Sequence, residues 1–277
     1  MAKLLEGKPL ADRIKEELRQ KIASSGRKLT LASVQVGTNA GADVYIKAQK
    51  RVAELLGVEY QLHMLAKETS QEQLVEFICS LNDNKSVNGI ILQMPLPPHI
   101  DHTAMSVHIA PGKDVEGMHP LNLGRLISGK AKIIPCTAAS VMELLDSTGI
   151  DYAGKEAVLI GHSAIVGKPL SLLLLERLAT VTVCHIGTSK AGKLQEHVAR
   201  AEILVVAVGK AGLIKGEWIR EGAAVVDVGI NRAGERLVGD VEFEAAQKRA
   251  GWISPVPGGV GPLTVTMLIR NLVEANL

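Results

Sequence analysis

Apolar positions along the chain alternate between a helical and a strand period. In residues 7–23, Leu10, Ile14, Leu18 and Ile22 recur every four residues and predict an amphipathic helix with a polar outer face. Residues 29–36 predict a buried strand, which Gly37 and Asn39 break. The helical period resumes over 43–56, with Tyr45, Gln49, Val52 and Leu56 along one stripe, so that Tyr45 and Gln49 lie one turn apart on one face. Residues 58–64 predict a strand, 71–82 a helix, and 89–93 a third strand running into Met94-Pro95-Leu96-Pro97-Pro98. This alternation predicts an α/β domain with parallel strands.

A second unit begins after Pro135. A helix is predicted over 140–147, a strand over 157–160, a loop over 161–167 and a helix over 169–178 with Pro169 in its first turn. Strands over 180–184, 203–208 and 224–228 follow, separated by helix-like stretches at 193–199 and 216–220. Val-rich strands alternating with Gly turns and helices are the pattern of a doubly wound nucleotide-binding sheet. A stiff, Gly-rich run at 255–262 precedes a last apolar helix at 265–273. Pro135-Cys136-Thr137 and Pro262-Leu263-Thr264 read as the two hinges, with the last helix returning to the first domain.

Composition narrows the classes. A net charge of +2 excludes a basic nucleic-acid stripe or an acidic tail as the organising feature. The chain is 47% hydrophobic but only 3% aromatic, so the core is aliphatic and no cage of stacked aromatics is available for a ligand. Cys79, Cys136 and Cys184 form neither a disulfide framework nor a metal knuckle, which fits a reducing, cytoplasmic setting. The start of the chain carries no export signal, and the greasy run 170–175 is too short to span a bilayer. His99, His102, His108 and His119 are scattered surface or loop residues, and no metal site is expected.

Three segments carry candidate chemistry. Gly161-His162-Ser163-Ala164-Ile165-Val166-Gly167-Lys168-Pro169 follows a buried strand and opens a helix, where free amides can bind phosphate. It is not a strict GxGxxG, and by spacing alone it is equally an ordinary strand-to-helix turn. Pro255-Val256-Pro257-Gly258-Gly259-Val260-Gly261-Pro262-Leu263-Thr264 pairs stiff Pro with Gly that lets a ligand approach the backbone. Gly112-Lys113-Asp114-Val115-Glu116-Gly117 sets a Lys and two acids in one short loop. Each of the last two is also compatible with a plain linker or a solvated turn.

Together with the Val36-Gly37 turn before Tyr45-Ile46, Gln93-Met94-Pro95-Leu96-Pro97, Pro135-Cys136-Thr137 and Val238-Gly239-Asp240-Val241, these segments resemble, in order and over nearly the whole chain, the methylenetetrahydrofolate dehydrogenase/methenyltetrahydrofolate cyclohydrolase family. The resemblance implies an N-terminal α/β folate domain (1–137 with 264–277) plus a Rossmann-like dinucleotide-binding domain (138–263), with the active site in the cleft between them and a homodimer as the assembly. It implies oxidation of 5,10-methylenetetrahydrofolate by NAD or NADP, then addition of water to the methenyl product to give 10-formyltetrahydrofolate. Carried over by position, Tyr45, Gln49, Gln93 and Glu116 are the catalytic cluster, with Tyr45, Glu116, Pro257, Gly258 and Gly259 against the folate. Thr137, Gly161, His162, Ser163, Ile165, Ile186, Gly209 and Thr264 would meet the dinucleotide. No nucleic acid, membrane or metal is implied as a partner.

The chain departs from the family pattern at Gln49, where the family has Lys four residues after the Tyr, at Glu116 for Asp, and at Ala42 for a common Ser. Lys47 and Lys50 flank Gln49 but could replace that Lys only with a shift on the helix. Hydride loss from a carbon between two nitrogens needs positioning rather than a proton acceptor, whereas ring opening by water needs proton transfer, which Gln cannot supply. The expectation is therefore a dehydrogenase whose cyclohydrolase activity is weak or absent. The alternatives are the fully bifunctional enzyme and a catalytically weak folate- or nucleotide-binding paralogue. His162 and Ile186 stand where NADP-using relatives carry Arg and Ser or Arg, which leans the cofactor toward NAD. The Cys184-His185 strand end supplies no acid for an NAD ribose, and Lys168, Lys190 or Lys193 could reach a phosphate, so NADP is not excluded.

Overall fold

The computed structural model describes residues 1–234 and 236–277, with His102 and Thr103 described by backbone alone. In chain order the elements are β1 (Lys3–Leu4), α1 (Gly7–Ser25), β2 (Thr30–Val36), α2 (Ala40–Leu55), β3 (Glu59–Leu65), α3 (Gln71–Asp83), β4 (Gly89–Leu92), α4 (His102–Ser106), α5 (Pro120–Ile127) and α6 (Cys136–Asp146). They continue with β5 (Glu156–Ile160), α7 (Gly167–Glu176), β6 (Thr180–Cys184), α8 (Ile186–Lys190), α9 (Leu194–Arg200), β7 (Ile203–Val206) and β8 (Ala224–Asp227). The hairpin strands β9 (Asn231–Ala233) and β10 (Arg236–Val238), α10 (Phe243–Ala246), β11 (Trp252–Ile253) and α11 (Val260–Asn276) complete the chain. Two compact units result, Arg13–Cys136 with Val265–Leu277, and Met1–Asp12 with Thr137–Thr264.

The first of these is built on a parallel sheet in the order β3-β2-β4. All seven positions of central β2 are buried, as its unbroken apolar run requires, whereas edge strand β3 alternates between half-buried and exposed positions. Local signals fix the helices. Asn39 caps α2 by accepting from the amides of Gly41 and Ala42, Ser70 and Gln73 form a capping box on α3, and Pro120 opens α5 behind the capping His119. The core is aliphatic, centred on Ala32, Val34, Leu74, Ile78 and Ile90.

A six-stranded parallel sheet, β1-β11-β8-β7-β5-β6, forms the second. Its interior strands β5, β7 and β8 are nearly wholly buried among Leu, Ile and Val. The order reverses at β5, with β6 on one side and β7 on the other. The carboxyl end of β5 is thus the switch point where ligands of such sheets bind.

Several boundaries differ from the sequence expectation, for identifiable reasons. The buried stripe of α2 is Ala42, Ile46, Gln49 and Ala53, which leaves Tyr45 on the exposed flank. α11 starts at Val260 rather than 265, because Pro262 falls in the first turn, where no backbone donor is required. The stretch 216–220 holds only a 3-10 turn, Gly216–Trp218. β1 and β11, two residues each, are too short to show a period, yet Lys3 and Leu4 pair with Trp252 and Ile253. That pairing puts residues 1–12 with the six-stranded sheet, not with the rest of 1–137. Among the described residues no helix is long and apolar enough to cross a membrane.

Candidate functional site

At the switch point the chain leaves β5 through Gly161, whose φ of +121° favours glycine. A Cβ there would run into the carbonyl of Ala207, and a Cβ on Gly167 would run into the carbonyl of Gly161. The loop therefore packs backbone against backbone. Ser163 shapes it, its Oγ accepting from Val166 N at 3.1 Å and its carbonyl accepting from Lys168 N at 3.0 Å. Among the described residues, the amides of His162, Ser163, Ala164, Ile165 and Gly167 donate no hydrogen bond. Free amides at the start of a ten-residue helix, beside glycines that leave room for close approach, fit the diphosphate of a dinucleotide.

A cavity of about 430 Å³ lies here, lined in part by Gly161, His162, Ser163, His185, Ile186 and Lys210. The His162 and His185 rings are 5.3 Å apart and tilted by 57°. His185 caps α8, its Nδ1 accepting from Gly187 N at 3.1 Å, and Ile186 and Ile165 are exposed. The end of β6, where His185 and Ile186 stand, is the strand end that reads the adenosine ribose in doubly wound folds. Lys168, Lys190 and Lys193 do not line the cavity. The lining lysine is Lys210, which sequence reasoning missed although it follows the expected Gly209.

Two buried acids hold the far wall. Asp240, of the Val238-Gly239-Asp240-Val241 segment, accepts from the amides of Val208, Gly209 and Lys210 at 2.7 to 2.9 Å and from Asn231 Nδ2 at 2.8 Å. The amide of Gly209 is thereby committed to Asp240 rather than available to a ligand. Asp227, at the end of β8, accepts in turn from the amides of Asp240, Val241 and Gly229. Burial, with the Asp240 charge adding to it, pushes the Asp227 carboxyl up to about 6.

In the three-stranded unit a polar cluster interrupts the aliphatic core. Gln49 Oε1 accepts from Tyr60 Oη at 2.9 Å and from Gln93 Nε2 at 2.7 Å, and Gln93 Nε2 also donates to Ser33 Oγ at 3.0 Å. α2, β3, β2 and the segment after β4 each contribute one member. Burial lifts the Tyr60 hydroxyl to about 12, so it stays a donor. Tyr45 is 47% exposed one turn before Gln49, Ala42 is buried one turn before Ile46, and Lys47 and Lys50 point outward, Lys50 toward Glu54.

Glu116 sits on a turn that others hold. Asp114 accepts from the amides of Gly117 and His119 and from Asn122 Nδ2, while Asn271 of α11 donates to the carbonyls of Val115 and Ile134. Gly117, at φ +76°, has no room for a Cβ against Pro135. Burial, and after it the Asp114 charge, pushes the Glu116 carboxyl up to about 8. Asp114, Asn271, Tyr60 and Asp240 make these hydrogen bonds around the candidate residues, and motif reading passed over them. Asp114 and Asp240 lay inside quoted segments, whereas Tyr60 and Asn271 have no local signal.

The expected residues fall into two groups. Tyr45, Gln49, Gln93 and Glu116 belong to the three-stranded unit, and Thr137, Gly161, His162, Ser163, Ile165, Ile186, Gly209, Pro257, Gly258, Gly259 and Thr264 to the other. Gly258 has φ +117°, and its carbonyl accepts from Gly7 N. Gly259 is pressed against Ser254, and Thr264 Oγ1 bonds back to the Val260 carbonyl. Of the histidines expected to be non-ligands, His99 contacts the Thr69 carbonyl and His119 caps α5, while the side chain of His102 lies outside the described residues. Among the described residues no three His, Cys, Asp or Glu converge as a metal site.

Comparison with known proteins covers both units. Residues 5–116 match the model of the tetrahydrofolate dehydrogenase/cyclohydrolase catalytic domain, and residues 135–277 that of its NAD(P)-binding domain. The bifunctional protein FolD of Halothermothrix orenii is 46% identical, with 99% of this chain and 98% of that protein covered. The methylenetetrahydrofolate dehydrogenase/cyclohydrolase structure from Campylobacter jejuni superposes with a TM-score of 0.95 at 41% identity, covering 99% and 98% of the two chains. The Trypanosoma brucei dehydrogenase-cyclohydrolase, complexed with NADP cofactor and inhibitor, gives 0.94 at 38% identity, covering 99% and 97%.

Proposed function

Because this chain belongs to the tetrahydrofolate dehydrogenase/cyclohydrolase family, we propose that it oxidises the one-carbon bridge of 5,10-methylenetetrahydrofolate to the 5,10-methenyl cation. The observation that carries this reading is the β5 switch point with its uncommitted amides and backbone-tight glycines. In this reading Thr137, Gly161, His162, Ser163, Ile165, Ile186, Gly209 and Thr264 hold the dinucleotide, whose nicotinamide supplies the hydride acceptor when bound. Gly209 does so by shape, its amide being taken by Asp240. Tyr45, Gln93, Glu116, Pro257, Gly258 and Gly259 hold the folate. The cation left behind is delocalised over two nitrogens, so orientation carries the step and no side chain has to accept a proton.

Hydrolysis of that cation is the second activity. The relatives' names carry both activities, and the fully bifunctional reading is better supported than the dehydrogenase-only expectation. Glu116 adds to it, as a group of the folate unit that exchanges a proton near neutral pH. Gln49 favours the narrower reading, because a buried amide locked by Tyr60 and Gln93 cannot titrate. Both half-reactions followed on one preparation decide between them. Hydrolysis of methenyltetrahydrofolate well above the uncatalysed rate establishes the bifunctional enzyme. A rate at background that Gln49→Lys raises about a hundredfold or more assigns the loss to that residue. No dinucleotide reduction with either NAD or NADP leaves a binding paralogue.

NAD is the preferred dinucleotide of this reading, since His162 and Ile186 lack the planar fork that grips a 2′-phosphate. Lys210 is the one cation lining the described cavity. A kcat/KM for NADP equal to or above that for NAD would overturn the preference. The assembly in this reading is a homodimer in the cytoplasm, which light scattering of the purified protein checks for the oligomer.

A further inference from the structure

Gln49 is 5% exposed, and its carbonyl oxygen has both lone pairs occupied, one by Tyr60 Oη at 2.9 Å and one by Gln93 Nε2 at 2.7 Å. Its amide nitrogen makes no hydrogen bond among the described residues, yet it is not among the enclosed polar atoms left without a partner. The side chain is thus pinned at its acceptor end and open at its donor end. Gln93 is pinned as well, by Ser33 Oγ at 3.0 Å and by its own amide on the Val34 carbonyl at 2.8 Å. Tyr60 reaches the cluster from edge strand β3, opposite Leu31 of β2, and a hydroxyl held to one acceptor does not swing freely.

We infer that Tyr60 is a positioning residue that, with Gln93, fixes Gln49 as a one-way hydrogen-bond donor toward an acceptor atom, a carbonyl oxygen or ring nitrogen, of the bound folate. This rests on the folate reading above and deepens it. The consequence is a polarity. The site offers N–H groups at residue 49 and selects a lone pair, so a carboxylate there would keep both internal hydrogen bonds and reverse what the ligand meets.

The experiment is a double-mutant cycle on the full chain, with Tyr60→Phe and Gln49→Glu singly and together. Readouts are the KM for methylenetetrahydrofolate, kcat, the KM for the dinucleotide, and Tm. Tyr60→Phe is expected to raise the folate KM roughly three- to tenfold while dinucleotide KM and Tm hold, the size of one orienting hydrogen bond. Gln49→Glu is expected to raise it more than tenfold, and Tyr60→Phe to add nothing further in that background. An unchanged folate KM in Tyr60→Phe, a small effect of Gln49→Glu, or full additivity overturns the inference. If the wild type turns over with neither NAD nor NADP, the dehydrogenase reading falls by itself. The same cycle is then read as tetrahydrofolate affinity by calorimetric titration, where a loss in Tyr60→Phe absent from the Gln49→Glu background supports the inference. No change, or no binding by the wild type, overturns it.

Discussion

The two units build their polar centres by opposite means. At the β5 switch point the backbone makes the site, from glycines with no room for a Cβ and amides left uncommitted, with Asp240 folding the opposite wall. In the three-stranded unit side chains make it, as Gln49, Gln93, Tyr60 and Ser33 hold one another and Glu116 rides on a turn held by Asp114 and Asn271. A site made of backbone tolerates new side chains at its rim, which change selectivity and leave binding intact. A site made of side chains changes its chemistry with one substitution. The departures at His162 and Ile186 are of the first kind, and those at Gln49 and Glu116 of the second.

The largest expected effect tests the backbone half. Gly161→Ala puts a Cβ onto the Ala207 carbonyl at a φ that L side chains rarely adopt. Strain of about 2–3 kcal/mol or more is expected to lower dinucleotide affinity roughly a hundredfold, by calorimetric titration with NAD and NADP. Gly209→Ala is the control. It also has positive φ, at +67°, but nothing lies within 4 Å of its Cβ, so about 1 kcal/mol is expected. Equal losses in the two variants would break the distinction.

Asp240→Asn comes next. One carboxylate oxygen becomes an NH2 facing donors, either the Val208 and Gly209 amides or that of Lys210 and Asn231 Nδ2. Losing charge-assisted hydrogen bonds of about 1.5–3 kcal/mol should lower Tm by several degrees and dinucleotide affinity roughly tenfold. An unchanged affinity beside a lowered Tm would confine Asp240 to stability.

Much of this was legible in the sequence, unevenly. Alternating periods marked most strands to within two residues, because buried parallel strands are unbroken apolar runs, and the Gly161 to Pro169 loop stands where a strand meets a helix. β1 and β11 were illegible because two residues have no period, and their pairing is set by partners some 250 positions apart. The α2 stripe was misplaced by one position because Gln49, a polar residue, occupies the buried row while Tyr45 does not. Gln49 stood out by motif, but its partner Tyr60 did not, since a tyrosine on an edge strand carries no mark of the contact it makes with the helix α2.

A smaller effect probes the rim. His162→Arg sets a planar cation in the cavity beside His185 and Lys210. A charge-assisted pair with a 2′-phosphate should raise the NADP to NAD ratio of kcat/KM roughly tenfold, with NAD kinetics little changed. A matching fall in NAD kinetics would mean that His162 supports the loop and is not merely its rim.

The smallest effect concerns Glu116 and separates the two halves by pH. Its carboxyl in the folded protein titrates at about 8, above the ordinary carboxylate range, so the folded state holds a proton that the unfolded chain has released. Such a group contributes stability that is fully present below the ordinary value and is lost as pH rises through 8. Asp227 in the other unit has the same sign over a lower window that closes at about 6, so only Glu116 still costs stability between 6 and 8. Glu116→Gln keeps a neutral side chain at every pH. Its Tm relative to the wild type should be level near pH 4, rise from about pH 4.5 as the unfolded Glu ionises, and level off above pH 8, by roughly 2–4 °C for each kcal/mol of linkage in a chain of this size. A gap already complete by pH 6 would put the folded Glu116 carboxyl near 6 or below rather than near 8. A gap independent of pH would mean that Glu116 is charged throughout, and that the turn held by Asp114 and Asn271 leaves it in water.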